Sequence, residues 1–460
     1  MAGGRLGRAL LAAVTVACVT LSAALAAPGQ AAGEPGGSEP TPGAEAVRVL
    51  IVGDSVTHGS SGDWTWRYRL WHHLVDSGVD VDFVGPRRDL WNLRTDAAGA
   101  TSYADPAFDQ DHAAKWGMWA ALPDVPFDVL AADTAADVVV VMLGAIDLLW
   151  TDEPASTVVD RMRQIVTEVR RGRPGAHVVL AQATQRWFDG VPEFNAGLDD
   201  VAAELSEPGS RVVVAATARD YDLAGDTWDG SHANARGEVR IAAAVADALA
   251  SAGVGPPAPR PLVLPPVGPV QTPSLSAVGG DGRATLAWVG PDAATSHRLW
   301  SRDVTARAPW SVHAEGLPRD GDRAVAGLRN GHRYEFRLQP VKGDDLPETG
   351  VYSPTVAVVP AAVALPPARP PALSKVRSLR ASAGRRCVRL TWARVPHATA
   401  YRVQRFSGGR WRGGTRTKHT RVTLKKLPAA KAWRFRVRAV RGDRSGPSKV
   451  IRVVRRAGRC

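Results

Sequence analysis

The sequence predicts an α/β domain, a three-layer sandwich with a parallel sheet at its centre, followed by two all-β sandwiches. Three observations carry this reading. Between residues 47 and 252, short Val-rich apolar runs alternate with segments whose apolar residues recur at helical spacing, the pattern of βα repeats that cover both faces of a parallel sheet. Two proline-dense stretches, 253–273 and 360–373, interrupt the chain as semi-rigid extended linkers. Residues 274–359 and 374–460 show only short alternating strands and turn signals, and each is about the size of one β-sandwich module.

The chain has 460 residues, 45% hydrophobic and 22% charged, enough for about three domains. Residues 1–27 read as a secretory signal peptide: Arg5 and Arg8 precede a small, apolar run over 10–25, and Ala24-Leu25-Ala26 offers a cleavage site. A membrane anchor is the competing reading, but the run is short and rich in Ala and Thr, and no later stretch suits a bilayer span. The expected destination is outside the cell, secreted or attached to the cell wall. Residues 28–46, rich in Pro, Gly, Ala and Glu, read as a disordered spacer.

Within 47–252, the apolar run at 49–53 is a buried first strand closed by a Gly-rich turn that holds Ser55. Residues 66–77 space Tyr68, Leu70, Trp71 and Leu74 as a helix. Residues 79–84 alternate as a second strand, and 86–117 read as irregular. Residues 137–143 form a nearly continuous β-branched run, the mark of a central strand covered on both sides. A helix over 156–171 follows, with Val158, Val159, Met162, Ile165, Val166 and Val169 on one face. Strands at 177–182 and 211–215 and helices at 192–205 and 234–250 complete the domain.

The chemistry gathers at the two ends of this domain. Ser55 stands at the C-terminal end of the first strand, where an α/β layout places ligand-facing groups. Asp229 and His232 are three residues apart just before the last helix. A carboxylate at that spacing can hold an imidazole in one tautomer and stabilise its charged form, and the imidazole can then take the serine proton. The bland alternative is an ordinary turn and a capped helix start, since Asp229 and Ser231 are both competent caps.

Gly53-Asp54-Ser55 together with Asp229-Gly-Ser-His232 resembles the SGNH, or GDSL, family of serine hydrolases, in which the serine block comes first and the Asp/His block last. The resemblance implies a serine esterase with Ser55 as nucleophile, His232 as base and Asp229 as its orienting partner, and a flavodoxin-like sheet. It also implies an oxyanion site built from the Ser55 N–H, a glycine N–H and an asparagine amide. The glycine block falls in 109–117, with Gly117 as the candidate donor. His112 in that block lacks an aspartate three residues before it and reads as structural. The asparagine block departs from the family: in Gly144-Ala145-Ile146-Asp147, Ile146 stands at the asparagine position and cannot donate a hydrogen bond. Asn92, Gln182 and Gln185 are the substitutes on offer. Loss of one such donor typically costs about a hundred- to a thousand-fold in turnover. The runner-up reading is therefore a weak or inactive domain in an extracellular adhesive protein.

The segment at 81–85, Val-Asp-Phe-Val-Gly, resembles the carbohydrate-esterase branch of the family, which implies acetylated polysaccharide as substrate; lipid esters are the other class. Trp64, Trp66, Trp71, Trp116, Trp119, Trp150, Trp187 and Trp228 fall in or beside the motif blocks and suit sugar rings or acyl chains, with about half expected in the core. No metal cluster, P-loop or dinucleotide fingerprint appears, and the chemistry needs no cofactor. The two C-terminal modules resemble fibronectin type III domains, with Trp288 and Trp392 as core tryptophans and Tyr334 as corner tyrosine; Trp433 stands at the corner position of the second.

Residues 374–460 hold 27 Lys and Arg against one acid, Asp443, so the formal charge of +13 belongs to this module and the remainder is net acidic. Arg434, Arg436 and Arg438 alternate along one strand opposite Trp433, Phe435 and Val437. Such a stripe attracts polyanions; outside the cell these are anionic wall polymers, acidic polysaccharides or membrane surface rather than nucleic acid. A merely solvated face is the alternative. Cys387 and Cys460 remain after cleavage and are candidates for a disulfide.

Overall fold

The computed structural model describes residues 45–362 and 371–457. The predicted signal peptide and nearly all of the spacer lie outside these residues, as does Cys460. The described residues divide into two compact units, the boundary falling between residues 361 and 362.

The first unit opens with β1 (Val47–Gly53), α1 (Ser55–His58), α2 (Trp66–Asp76) and β2 (Val81–Val84). A hairpin follows, β3 (Leu90–Asn92) and β4 (Ala97–Ala100), inside the stretch expected to be irregular. Its strands are short and poor in β-branched residues, so the alternation signal is absent there. Next come α3 (Phe127–Thr134), β5 (Val138–Met142), α4 (Ala145–Thr151), α5 (Ala155–Gly172), β6 (His177–Ala181), α6 (Val191–Leu205), β7 (Val212–Ala215), α7 (Leu223–Asp226) and α8 (Ala235–Ala252). The short α3, α4 and α7 carry no amphipathic pattern long enough to read from sequence.

The strands form one sheet in the order β2-β1-β5-β6-β7, and every pairing is parallel. Counting only these five, the order is 2-1-3-4-5, so the chain reverses direction across the sheet between β1 and β5. β5 is buried along its whole length, as a strand with helices over both faces must be. Strand alternation sorts the core into two slabs. Leu50, Val52, Val139 and Val141 face α3, α5 and α6, packing on Val158, Met162, Ile165, Val166 and Phe194. Val49, Ile51, Val138 and Val140 face α2 and α8, packing on Leu70, Leu74, Ile241, Val245 and Leu249. The α5 face is the one predicted, with all six named residues buried.

The stretch 253–273 is held in place by hydrogen bonds. Ala258 N–H donates to Asp247, Arg236 donates to the Pro265 carbonyl and Thr349 to that of Pro269, so this segment is pinned to both of its neighbours. The first β-sandwich follows within the same unit: β8 (Ser274–Gly280), β9 (Arg283–Val289), β10 (Ser296–Asp303), β11 (Ser311–Pro318), β12 (Asp320–Ala326), β13 (Tyr334–Val341) and β14 (Val356–Val358). Sheets β12-β9-β8 and β11-β10-β13-β14 enclose Leu286, Trp288, Leu299, Phe336 and Leu338, a fibronectin type III-like arrangement. Tyr334 Oη accepts the Arg329 N–H at 3.1 Å, as a corner tyrosine should.

The second unit repeats the plan with β15 (Arg380–Ala383), β16 (Val388–Thr391), β17 (Ala400–Ser407), β18 (Arg410–Thr417), β19 (Arg421–Leu424), β20 (Ala432–Arg441), β21 (Arg444–Ser445) and β22 (Lys449–Val454). Trp392, Tyr401, Trp433 and Phe435 fill its core. Trp433 keeps a corner bond of its own, its indole N–H donating to the Pro428 carbonyl at 3.2 Å, five residues back as in the tyrosine case. Cys387 is disulfide-bonded. Among the described residues, no helix is long and apolar enough to cross a membrane.

Candidate active site

β1 delivers Ser55 to the C-terminal edge of the sheet, at the β1/β5 switch point where open α/β sheets bind ligands. Asp54 caps the short α1 by accepting the Val56 N–H at 2.9 Å. At the far end of the domain, residues 227–233 close into a tight loop through the Trp228 N–H to His232 carbonyl bond. The cap of α8 is Asn234, which accepts the N–H groups of Arg236 and Gly237. Asp229 and Ser231 are thereby left out of helix capping, and Asp229 is available to the imidazole.

The structure brings the three predicted residues into one hydrogen-bonded line. Ser55 Oγ lies 2.9 Å from His232 Nε2, and His232 Nδ1 lies 2.7 Å from Asp229 Oδ2. The other Asp229 oxygen accepts the N–H groups of His232 and Ser231. Burial raises the Asp229 carboxyl pKa, but the hydrogen bond and charge of His232 and these two N–H groups outweigh it, and the net shift is below the usual carboxylate value. The arrangement fixes the tautomer in which Nδ1 carries a proton toward Asp229 and Nε2 accepts from Ser55.

The imidazole is also held by its faces. Trp116 stacks on it at 4.2 Å between centroids and Trp228 at 5.3 Å, both within about 21° of parallel. Trp91 backs Trp116 at 5.3 Å. An imidazolium formed here would sit against two indole rings, whose π faces favour a cation.

The segment 113–121 is tied down along its length. Ala113 and Lys115 N–H donate to the Ile51 and Gly53 carbonyls, extending the end of β1. Trp116 N–H donates to His58 Nδ1, and Asp147 accepts the N–H groups of Ala120 and Ala121 at 2.9 and 3.0 Å. Gly117 sits in this segment at φ +75°, a conformation that favours glycine. The backbone N–H groups of Ser55 and Gly117 make no hydrogen bond among the described residues, so both are open to a ligand. Ile146 is buried on α4. Asn92 accepts from Arg94 and Thr95 in the hairpin turn, and Gln185 donates to the Ser231 carbonyl. Neither of them, nor Gln182, lines the cavity of about 10 Å³ bounded by Ser55, Gly59, Thr65, Trp116 and His232.

His112 is buried, its Nδ1 accepting from Ala114 N–H and its Nε2 donating to the Asp89 carbonyl. It braces the 113–116 segment and is not part of the hydrogen-bonded line. His58, Asp89 and His112 offer ligand atoms within 4.8 Å of one another. Burial depresses both imidazoles, His58 to about 4 and His112 well below its ordinary value. Three of their four ring nitrogens already bond the backbone, so the cluster fits a structural brace better than a metal centre. Four residues that matter here carried no role in the sequence reading. Trp91 lay in a stretch read as irregular. Asp147 was visible in its block but without a task. Arg67 is fully buried and donates to the Thr57 and His58 carbonyls, holding α1. Lys342 belongs to another module.

Residues 51–254 match the family model described as the GDSL-like Lipase/Acylhydrolase family. The matched segment is somewhat less than half of the chain and spans the parallel-sheet domain that carries Ser55, Asp229 and His232. Among solved structures, the chain is similar to a carbohydrate esterase family 3 protein from Talaromyces cellulolyticus, at 23% identity over 45% of this chain and 97% of that one, TM-score 0.38. A family 3 carbohydrate esterase of Clostridium thermocellum gives 22% identity over 46% and 100%, TM-score 0.39. A two-domain fibronectin type III segment of chicken tenascin gives 16% over 40% and 98%, TM-score 0.17. No curated protein matches the chain.

Asp54 yields a test of the electrostatics. Burial pushes its carboxyl up to about 6, against the smaller opposing effects of the Val56 N–H and His232. The folded state thus favours the neutral form. That advantage is complete below the unfolded value near 3.8 and is lost as pH rises through 6. Asp54→Asn keeps an acceptor for Val56 and removes the buried charge. In denaturant titrations it is expected to match the wild type near pH 4 and to exceed it above pH 6, by at most about 3 kcal/mol.

Proposed function

We propose that residues 47–252 hydrolyse short acyl esters, acetyl above all, through an acyl-serine intermediate. The observation that carries this is the Ser55–His232–Asp229 line at the open edge of the sheet. Ser55 Oγ attacks the ester carbonyl carbon as His232 Nε2 takes its proton. The oxyanion is received by the N–H groups of Ser55 and Gly117. The C–O bond breaks, the leaving alkoxide takes the proton from His232, and Asp229 balances the imidazolium while it exists. Water, deprotonated by His232, then releases the acid and restores Ser55. The small cavity beside Ser55 has room for about one water-sized group, which favours acetyl over long acyl chains.

Trp150 supports a saccharide leaving group. It is 63% exposed on α4, and its ring lies 3.6 Å from where a Cβ on Gly117 would stand, so an open indole face borders the oxyanion candidate. A specific observation favours the second reading, a weak hydrolase serving an adhesive protein: Ile146 leaves the side-chain oxyanion donor unfilled.

The chain is read as exported, on the leader pattern of residues 1–27 and the disulfide at Cys387. Its second β-sandwich is read as an anchor to an anionic polymer of the wall or matrix. Arg402 stands directly opposite both Arg438 and Arg416 in the sheet, and Arg434 opposite Arg452. Like charges facing across strands destabilise a sheet. No Lys or Arg of this module forms an ion pair among the described residues, so an external polyanion would relieve the repulsion.

Three outcomes are expected. Hydrolysis of p-nitrophenyl acetate falls at least ~10³-fold in Ser55→Ala and declines in the wild type as the acyl chain lengthens; equal rates for the two proteins would leave the adhesive reading. Trp150→Ala raises KM on acetylated polysaccharide several-fold while p-nitrophenyl acetate turnover stays level. The full chain elutes from heparin resin well above physiological salt, and replacing Arg402, Arg434, Arg436 and Arg438 by Gln brings elution down to it.

A further inference from the structure

The first β-sandwich reaches into the hydrolase domain at one point that bears on the chemistry. Lys342 follows β13 and is buried. Its ammonium donates to Ser60 Oγ at 2.8 Å and pairs with Asp63, both on the segment that continues from Ser55 and α1. Asp63 in turn accepts the Ser60 N–H and hydroxyl at 2.7 and 2.8 Å, so the cation closes a small network on that segment. The same ammonium lies 5.0 Å from the ring centroid of Trp228, the residue stacked on His232.

The residues after Lys342 grip the same loop by its backbone. The Asp344 N–H donates to the Trp228 carbonyl at 2.7 Å. Gly343, at φ +54°, passes so close that a Cβ there would lie 1.8 Å from that carbonyl oxygen. Asp345 accepts from Asn234, the α8 cap, and Glu348 pairs with Arg236 in the first turn of α8. The serine-bearing segment and the histidine-bearing loop are 177 residues apart in sequence. Both lean on one lysine from a module with no catalytic motif.

We propose that Lys342 is a positioning residue for His232: it joins the segment after Ser55 to Trp228, so that the first β-sandwich completes the hydrolase site. The inference rests on the esterase reading given above. The column Trp91–Trp116–His232–Trp228 is closed at one end by the Lys342 cation, which sets the depth of Trp228 and through it the plane of the imidazole. With Lys342 removed, Trp228 loses its cation and Asp63 its counter-charge, and His232 is left to a looser loop. A misplacement of about 1 Å at a reacting group can cost on the order of a hundred-fold in rate.

The test compares the full chain with Lys342→Met, with Lys342→Met/Asp63→Asn and with Arg94→Ala. The double variant removes the buried ion pair as a unit, which folded proteins tolerate better than one stranded charge. Arg94 spans the same seam, bonding Asp292, Asp320 and the Gly290 carbonyl, but touches neither the Ser55 segment nor the 227–233 loop. On p-nitrophenyl acetate, both Lys342 variants are expected to lose ten- to a hundred-fold in kcat with KM within about twofold, while Arg94→Ala keeps kcat and loses thermal stability. A wild-type kcat in the folded double variant would overturn the proposal, and so would an equal kcat loss in Arg94→Ala. A second readout does not depend on turnover. The His232 ring protons, stacked with two indoles, should be strongly ring-current shifted in the wild-type NMR spectrum, and that shift should shrink in both Lys342 variants alone. An inactive wild type would defeat the esterase reading and leave this signature to decide the clamp; an unchanged shift would overturn the clamp even in an active enzyme.

Discussion

A constraint on backbone geometry governs this molecule: segments far apart in sequence must meet at the C-terminal end of β1. A parallel sheet brings them to one edge, because each crossover carries the chain back before the next strand begins and every strand then ends on the same side. The reversal of strand order between β1 and β5 opens a crevice there, and the loops after β1, after β5 and before α8 all reach it. Ser55, the Asp147-tied segment 113–121 and His232 arrive by three different routes.

What holds them is a mixture of directional bonds and stacked rings. The Asp229 carboxylate fixes one edge of the imidazole, and two tryptophans fix its faces. A hydrogen bond alone leaves a ring free to swing about the bond axis, and stacking alone leaves it free to rotate in its plane. Together they leave little freedom for the group that moves a proton in the proposed mechanism. The neutral, buried His58 and His112, on α1 and on the later loop, serve the neighbouring backbone instead and take no part in the hydrogen-bonded line.

Much of this was legible in the residues. The β-branched run at 137–143, the amphipathic face of α5 and the alternating strands of both β-sandwiches announce themselves by period, since burial on one or two faces imposes it. Ser55, Asp229 and His232 stand out because their residue types and spacing suit one chemistry. The β3–β4 hairpin did not announce itself, because Ala97 to Ala100 has neither alternation nor β-branching. The anchoring of the linker at 253–273 did not announce itself, because proline signals extension and says nothing about what the extended chain lies against. Trp433 took over the corner bond by donating where tyrosine accepts, a substitution of role that residue type alone does not reveal.

The sequence by itself determined the layers, the order of motifs and the identity of the three residues that line up at the site, because local period and side-chain chemistry are written residue by residue. Tertiary structure alone decided which groups support them. Trp91, Asp147 and Lys342 owe their places to contacts across 25 to 282 residues of chain, and no local pattern encodes a partner that distant. Charge and ring stacking act through space, so the sandwich that carries Lys342 could be recognised as a module from its sequence, but its reach into the α/β domain could be seen only once the two were packed together.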